Sequence, residues 1–138
     1  MFLNTTVDER ISLWRKFRDE LETSLTPFED TQSLWNTAPV TTRGLDPWDS
    51  QQWMSPWELL EENRFCPVGI ALMIGSTLKL TTRFSTENIL IKTIVDREQE
   101  MLYNAIYVQD KVLNINGKVC EIKDIPADWF IQFQHEIK

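Results

Sequence analysis

The sequence is poor in the residues that build metal and phosphate sites. Its 138 residues include one histidine, His135, two cysteines, Cys66 and Cys120, and four glycines. A structural zinc site needs four ligands, usually in closely spaced pairs, and the sequence has no CxxC or HxxxH pair. Four glycines, at 44, 69, 75 and 117, form neither GxGxxG nor GxxxxGK, and the GxSxG elbow is also missing. We therefore expect no metal centre and no cofactor.

Long apolar runs and an excess of positive charge are also missing. No stretch approaches the roughly 20 apolar residues that a membrane-spanning helix needs. The first ten residues lack the basic and apolar regions of a secretory signal. The 14 basic and 21 acidic side chains leave a net charge of −7, which disfavours nucleic acid and anionic lipid as partners. These features predict a protein made in a reducing cytoplasm that binds neither membrane nor nucleic acid.

Charge and aromatic residues are distributed unevenly along the chain. Residues 1–64 carry 6 basic and 12 acidic side chains, whereas residues 65–138 are nearly neutral and aliphatic. All tryptophans except Trp129 lie in the acidic half. A chain of this length supports one hydrophobic core. We therefore predict an acidic, tryptophan-rich N-terminal helix and long arm over 1–54 and an α+β core over 55–138, which together form one compact domain.

The segment after Thr6 has the pattern of an amphipathic helix. Thr6 and Glu9 have the spacing of a capping box. Apolar side chains follow at helical spacing, at Ile11, Trp14, Phe17 and Leu21. This helix either packs on its own domain or docks on a partner, in which case Trp14 and Phe17 would be the anchors. Residues 25–54 then form a long connection, with a short helix around 29–35.

Two further helix starts are well marked. Ser55 can cap a helix, Glu58 completes its capping box, and the proline between them suits the first helical position. Pro67 also suits a first helical position, which makes Cys66 the expected N-cap residue. The following residues, 68–80, are apolar nearly all round the helix, as is typical of a central, buried helix.

Beyond residue 89 the pattern becomes that of strands. Residues 89–95 are rich in β-branched side chains, and 101–108 are apolar on both faces. Gln109-Asp110 and Asn116-Gly117 each predict a tight hairpin turn. Alternation with a period of two over 129–138 predicts a final half-buried strand. The sequence therefore predicts an α+β fold, in which N-terminal helices, including a buried helix headed by Cys66, precede an antiparallel meander of four or five strands.

Cys66 is the strongest candidate for a reactive group. A cysteine at a helix N-terminus lies where the helix dipole and free N–H groups favour a thiolate, the form that attacks acyl groups. Nucleophilic catalysis also needs a base, and His135 is the one imidazole in the sequence. On the strand pattern, His135 is better explained as a half-buried residue with a local hydrogen bond. Cys66 is correspondingly better explained as a small buried capping residue, with a Cys66–His135 dyad as the alternative.

Three stretches together resemble the transglutaminase-like, papain-related fold: RFCPVGIAL (64–72), LYNAIYV (102–108) and KVLN (111–114). In active members of that family the second stretch carries the catalytic histidine and the third carries the orienting aspartate. Asn104 and Asn114 stand at those places here, and an amide neither accepts a proton near neutral pH nor stabilises an imidazolium. Pro67 also removes an N–H beside the thiol. The resemblance spans about residues 55–125 and implies a fold more than an activity.

A second resemblance covers more of the chain. The motifs LWRKFRD (13–19), DPW (46–48) and SPWELLEEN (55–63), followed by Cys66, are similar to small virion-linked proteins of T4-like tailed phages. This resemblance implies a structural or assembly component of a tail, baseplate or neck. It also implies that the protein is made in the host cytoplasm and later enters the virion, where other virion proteins, and in some cases a second copy, are its partners.

Three functions follow from these observations. The favoured one is a non-enzymatic structural or assembly protein that acts through protein contacts, because tryptophan anchors dominate interfaces. Its interface residues would be Trp14, Phe17, Trp35, Trp48, Trp53 and Trp57. The alternative is a cysteine-dependent hydrolase or acyltransferase that uses Cys66 with His135. The third is an acidic inhibitor that occupies a basic site on a nucleic-acid enzyme, which the net charge of −7 motivates.

Overall fold

Helices precede strands along the chain. The computed structural model describes residues 1–42 and 44–138, and these contain four α-helices and five β-strands. The helices are α1 (Val7–Leu21), α2 (Pro27–Trp35), α3 (Pro56–Glu62) and α4 (Pro67–Lys79). The strands are β1 (Ile89–Asp96), β2 (Met101–Val108), β3 (Lys111–Ile115), β4 (Lys118–Glu121) and β5 (Phe130–Glu136). Short 3-10 helices, Ser50–Gln52 and Ile122–Asp124, lie before α3 and after β4.

The strands form one antiparallel sheet in the order β4-β3-β2-β1-β5. Strands β1 to β4 are a meander of hairpins, and the chain then crosses back to place β5 beside β1. Asn116 and Gly117 have φ values of 54° and 75°, the left-handed conformations that a type I′ hairpin turn requires. The α+β prediction, with helices first and an antiparallel meander after them, is confirmed.

The predicted capping residues begin their helices. The Thr6 hydroxyl accepts the N–H of Glu9 at the start of α1. At α3 the capping box is complete, because Ser55 accepts the N–H of Glu58 and the Glu58 carboxylate accepts the N–H of Ser55. These bonds satisfy N–H groups that have no partner within the first turn of a helix. The boundaries of both helices therefore follow from local sequence.

Helix α4 is the centre of the hydrophobic core. Every residue from Val68 to Leu78 is buried, and the helix packs against α2 and against one face of β1 and β2. Trp14 of α1 and Trp35 of α2 are 0% and 1% exposed and belong to the same core. None of the helices in the described part of the chain combines the length and the apolar composition needed to cross a bilayer.

The opposite face of the sheet carries a smaller apolar cluster. Ile94, Ala105 and Val112 are buried there, and Ile125 and Trp129 pack over them from the segment that joins β4 to β5. This segment therefore covers part of the face that α4 does not reach. The main candidate residues, Cys66, Asn104 and His135, are not members of this cluster.

Candidate functional site

The sulfur of Cys66 lies at the N-terminus of α4 beneath a close-packed loop. Its Sγ accepts the N–H of Gly69 at 3.3 Å and the N–H of Leu45 at 3.3 Å. The first bond makes Cys66 the N-cap of α4, as the sequence predicts. Gly44 approaches so closely that a Cβ added there would lie 2.5 Å from both Cβ and Sγ of Cys66. The thiol is 5% exposed, so the loop covers it almost completely.

A cleft of about 160 Å³ adjoins the Cys66 side chain. Its walls include Met54 and Leu59, which are apolar, and Glu62 and Arg64, which are charged. Within the described residues, both hydrogen bonds to the sulfur come from backbone N–H groups. This arrangement lets the sulfur act as the acceptor that a serine or threonine hydroxyl supplies at other helix N-caps.

His135 has a different set of partners. Its Nε2 lies 3.2 Å from the carbonyl oxygen of Pro47. Its ring packs edge to face on the Trp53 ring, with 4.8 Å between the ring centres. A carbonyl oxygen only accepts hydrogen bonds, so Nε2 carries the proton that it donates to Pro47. The imidazole therefore holds the connection before α3 against β5. His135 is half-buried, as the strand pattern predicts, but its hydrogen bond is not local, because Pro47 lies 88 residues earlier in the chain.

Asn104 and Asn114 are brought together on the other side of the α4 N-terminus. The Asn114 side chain donates from Nδ2 to the backbone carbonyl of Asn104 at 2.8 Å. The backbone N–H of Asn114 donates to Oε1 of Gln32 at 2.6 Å. Both asparagines line a cleft of about 230 Å³ together with Pro67, whereas Cys66 lines the other cleft. The positions that resemble a catalytic histidine and aspartate thus adjoin each other but lie around a cleft separate from that of the sulfur.

The aromatic candidates for an interface divide by exposure. Trp14 and Trp35 are buried, and both indoles donate to the Thr77 hydroxyl, at 2.9 and 3.0 Å. Their rings are therefore unavailable to a partner in this conformation. Phe17 and Trp53 are partly buried against the core. Trp48 and Trp57 are 61% and 45% exposed and are the tryptophans that the structure presents to solvent.

Each exposed indole packs against side chains from other parts of the fold, and of these the sequence predicted only Trp14 as an interface residue. The Trp48 ring lies 6.2 Å from the Phe133 ring. The Trp57 ring meets Trp14 edge to face at 5.1 Å, and the Arg18 guanidinium lies 4.4 Å from the Trp14 ring centre and 5.8 Å from that of Trp57. Burial lowers the pKa of Arg18, and the nearby Asp19 partly opposes this shift. The spacing of Trp14 and Arg18, four residues apart on one helix, was the available signal for this cluster.

Metal ligands do not gather anywhere in residues 1–42 and 44–138, where no group of three or more histidine, cysteine, aspartate or glutamate side chains could hold an ion. Comparison with protein-family models, with curated proteins and with solved structures finds no match to this chain.

Proposed function

We propose that this protein is a non-enzymatic component of a larger protein assembly and that it binds its partners through exposed, fixed tryptophans. The observation that carries the proposal is the exposure of Trp48 and Trp57, at 61% and 45%, although each ring packs against another aromatic ring. Tryptophan and arginine are enriched among the residues that dominate binding energy. Following the phage resemblance, we assign the assembly to a tailed-phage virion, at the tail, baseplate or neck.

The surface around Trp57 has the composition of a binding hot spot. Trp57 belongs to α3, and its ring contacts the Trp14 ring and the Arg18 guanidinium of α1. Because these contacts already limit the motion of the ring, a partner would lose little conformational entropy by covering it. Removing roughly 100 Å² of apolar indole surface from water would contribute about 2–3 kcal/mol.

Trp48 forms a second surface, where the connection before α3 packs against β5. Its ring rests on Phe133, and the neighbouring Trp53 donates from Nε1 to the Asp46 carbonyl at 2.7 Å. The connection before α3 is thereby anchored to the sheet although it has little regular structure. A loop that is fixed in this way presents its exposed side chain in one place, as recognition requires.

The environment of Cys66 supports a structural role for the thiol. Two backbone N–H groups occupy the sulfur, and Gly44 and Leu45 lie over it. The imidazole of His135 is bonded to the Pro47 carbonyl. A cysteine nucleophile needs a base within hydrogen-bond reach and a path for its substrate. These contacts are better suited to holding the start of α4 than to acyl transfer.

The test combines particle composition with matched variants. Peptides of this chain should be found by mass spectrometry in purified particles of the phage that encodes it, in a fixed ratio to other virion proteins. Trp48→Ala and Trp57→Ala should each weaken incorporation at least tenfold. Leu25→Ala, at a side chain that is 98% exposed, is the control and should incorporate normally. A chain that is missing from particles and stays monomeric with every purified virion protein would refute the proposal.

A second candidate function is acyl transfer by Cys66, favoured by one observation: the thiol adjoins a cleft at the N-terminus of a 13-residue helix. The half-buried Cys120 serves as an internal reference, because burial, aided by Asp124 and Glu121, raises the pKa of its thiol. If Cys66 is a catalytic nucleophile, iodoacetamide should alkylate Cys66 faster than Cys120 in the folded protein. The assembly proposal expects the opposite order, with both thiols reacting at similar rates in urea.

A further inference from the structure

The Arg18 guanidinium packs on two indole rings and has no acidic partner. Its carbon Cζ is 4.4 Å from the ring centre of Trp14 and 5.8 Å from that of Trp57. Its Nε is buried and has no hydrogen-bond partner within residues 1–42 and 44–138. In the same part of the chain, no carboxylate lies within salt-bridge distance of Arg18. We call Arg18 and Trp57 together the arginine–tryptophan surface.

The terminal nitrogens of Arg18 are the donors that a partner can reach. Aromatic rings attract a guanidinium through their faces, but its N–H groups lie in its own plane and need acceptors at its edge. Nε is closed off from solvent, whereas Nη1 and Nη2 remain in contact with it. The fork of Nη1 and Nη2 matches the two oxygens of a carboxylate. The surface therefore offers a bidentate anion site beside the Trp57 indole, which is 45% exposed.

The charge around Arg18 indicates which anion fits. Arg15 lies one helical turn before Arg18 and is also exposed, so the two arginines are neighbours on α1. Residues 1–64 as a whole carry 6 basic and 12 acidic side chains, which repel a polyanion such as nucleic acid far more than a single carboxylate. A twofold contact between two copies at this surface would bring the arginines of both copies together, which is unfavourable. A different protein with one acidic side chain is therefore the occupant that the charges favour.

We propose that the arginine–tryptophan surface binds an aspartate or glutamate side chain of a different protein. The carboxylate accepts hydrogen bonds from Nη1 and Nη2 of Arg18, and an apolar side chain next to it covers the Trp57 indole. Covering the indole excludes water from the charge pair, which strengthens the pair. This inference rests on the proposed function, because it names the chemistry of the partner that Trp57 contacts.

Nuclear magnetic resonance of the full chain tests the carboxylate directly. The probes are acetyl-Leu-Glu-Leu-amide, acetyl-Leu-Gln-Leu-amide and inorganic phosphate, titrated while the Nε–H of Arg18 and the indole N–H of Trp57 are observed. The glutamate peptide should shift both signals in a saturable manner and bind at least tenfold tighter than the glutamine peptide, which has the same shape without the charge. Unsaturable shifts, equal binding of the two peptides, phosphate binding as tight as that of the glutamate peptide, or signals that move with protein concentration alone would each overturn the proposal.

Matched variants separate Arg18 from a general attraction. Arg18→Gln removes the guanidinium and should weaken binding of the glutamate peptide at least tenfold, whereas Arg18→Lys keeps the charge without the fork and should weaken it several-fold. Lys16→Gln removes the same charge from an exposed position on α1 and should change the affinity by about twofold or less. Equal losses in Arg18→Gln and Lys16→Gln would overturn the proposal. If Arg18→Gln fails to fold, the two peptides on the wild-type chain decide the question alone.

The particle experiment distinguishes this proposal from the assembly proposal. Incorporation that is lost in Trp57→Ala but normal in Arg18→Gln would support the assembly contact and refute the carboxylate. A glutamate peptide that binds at Arg18, together with a chain that is missing from particles, would support the carboxylate site and refute the virion assignment.

Discussion

Replacing Thr77 by valine should destabilise the protein far more than the loss of one hydroxyl suggests. The Thr77 hydroxyl accepts from both Trp14 and Trp35, at 2.9 and 3.0 Å, and donates to the Met73 carbonyl. A hydroxyl has one donor and two acceptor sites, so this group is saturated. Valine has nearly the same shape, but both indole N–H groups would remain buried without an acceptor. Each such group costs about 1–3 kcal/mol, which gives about 2–6 kcal/mol for the pair.

Thr31→Val is the matched control. Thr31 is also 0% exposed on a helix, and its hydroxyl donates to the Pro27 carbonyl four residues earlier, but it accepts from no described residue. Its loss should cost about 1 kcal/mol or less, because no donor is orphaned. Urea unfolding followed by far-ultraviolet circular dichroism gives both free energies of unfolding. Both variants replace a buried helical threonine by valine, so they differ mainly in the two indole donors that only Thr77→Val leaves without an acceptor. Losses of unfolding free energy that agree within about 0.5 kcal/mol would therefore refute the reasoning.

Two further predictions concern the loops that α1 and α4 depend on. The Glu22 carboxylate accepts the backbone N–H groups of Thr82 and Arg83, which hold the pKa of Glu22 below its ordinary value of 4.5. The charged Glu22 carboxylate therefore stabilises the fold fully above the pKa of Glu22 in the unfolded chain, and this effect is lost as the pH falls through its pKa in the folded protein. Glu22→Gln should make the urea midpoint of unfolding decline less steeply on acidification. A decline equal to that of the wild type would contradict this prediction. Gly44→Ala should displace the loop from Cys66 and speed alkylation of its thiol several-fold, whereas an unchanged rate would show that the loop does not shield the sulfur.

Local signals account for the parts of the fold that the sequence predicted well. A cap is formed by residues three apart, so Ser55 and Glu58 could be recognised without knowing any tertiary contact. Cys66 before Pro67 is a similar case. The Asn116-Gly117 turn needs positive φ at two consecutive residues, a demand that only a few residue pairs meet. The order of these local elements was sufficient for the α+β class.

Contacts between distant residues could not be read in this way. Trp14 and Trp35 meet Thr77 across separations of 63 and 42 residues. Arg10 is buried because its guanidinium donates to the carbonyls of Leu60 and Glu61 at the end of α3, about fifty residues away. Nothing in the composition distinguishes such an arginine or tryptophan from one that is exposed. The burial of two tryptophans, and the partial exposure of Trp57, follow only from how α1, α2 and α3 are placed around α4.

The N-terminus of α4 separates two environments that an active cysteine enzyme would have to combine. On one side the Cys66 sulfur accepts from Leu45 and Gly69 beneath the loop. On the other, Asn104 and Asn114 line a different cleft beside the proline that follows the cysteine. Catalysis by a dyad needs the base within hydrogen-bond reach of the thiol. Cys66 and the two asparagines line different clefts, and the sulfur already accepts two backbone N–H groups, so the packing of the chain supports a structural role for the thiol.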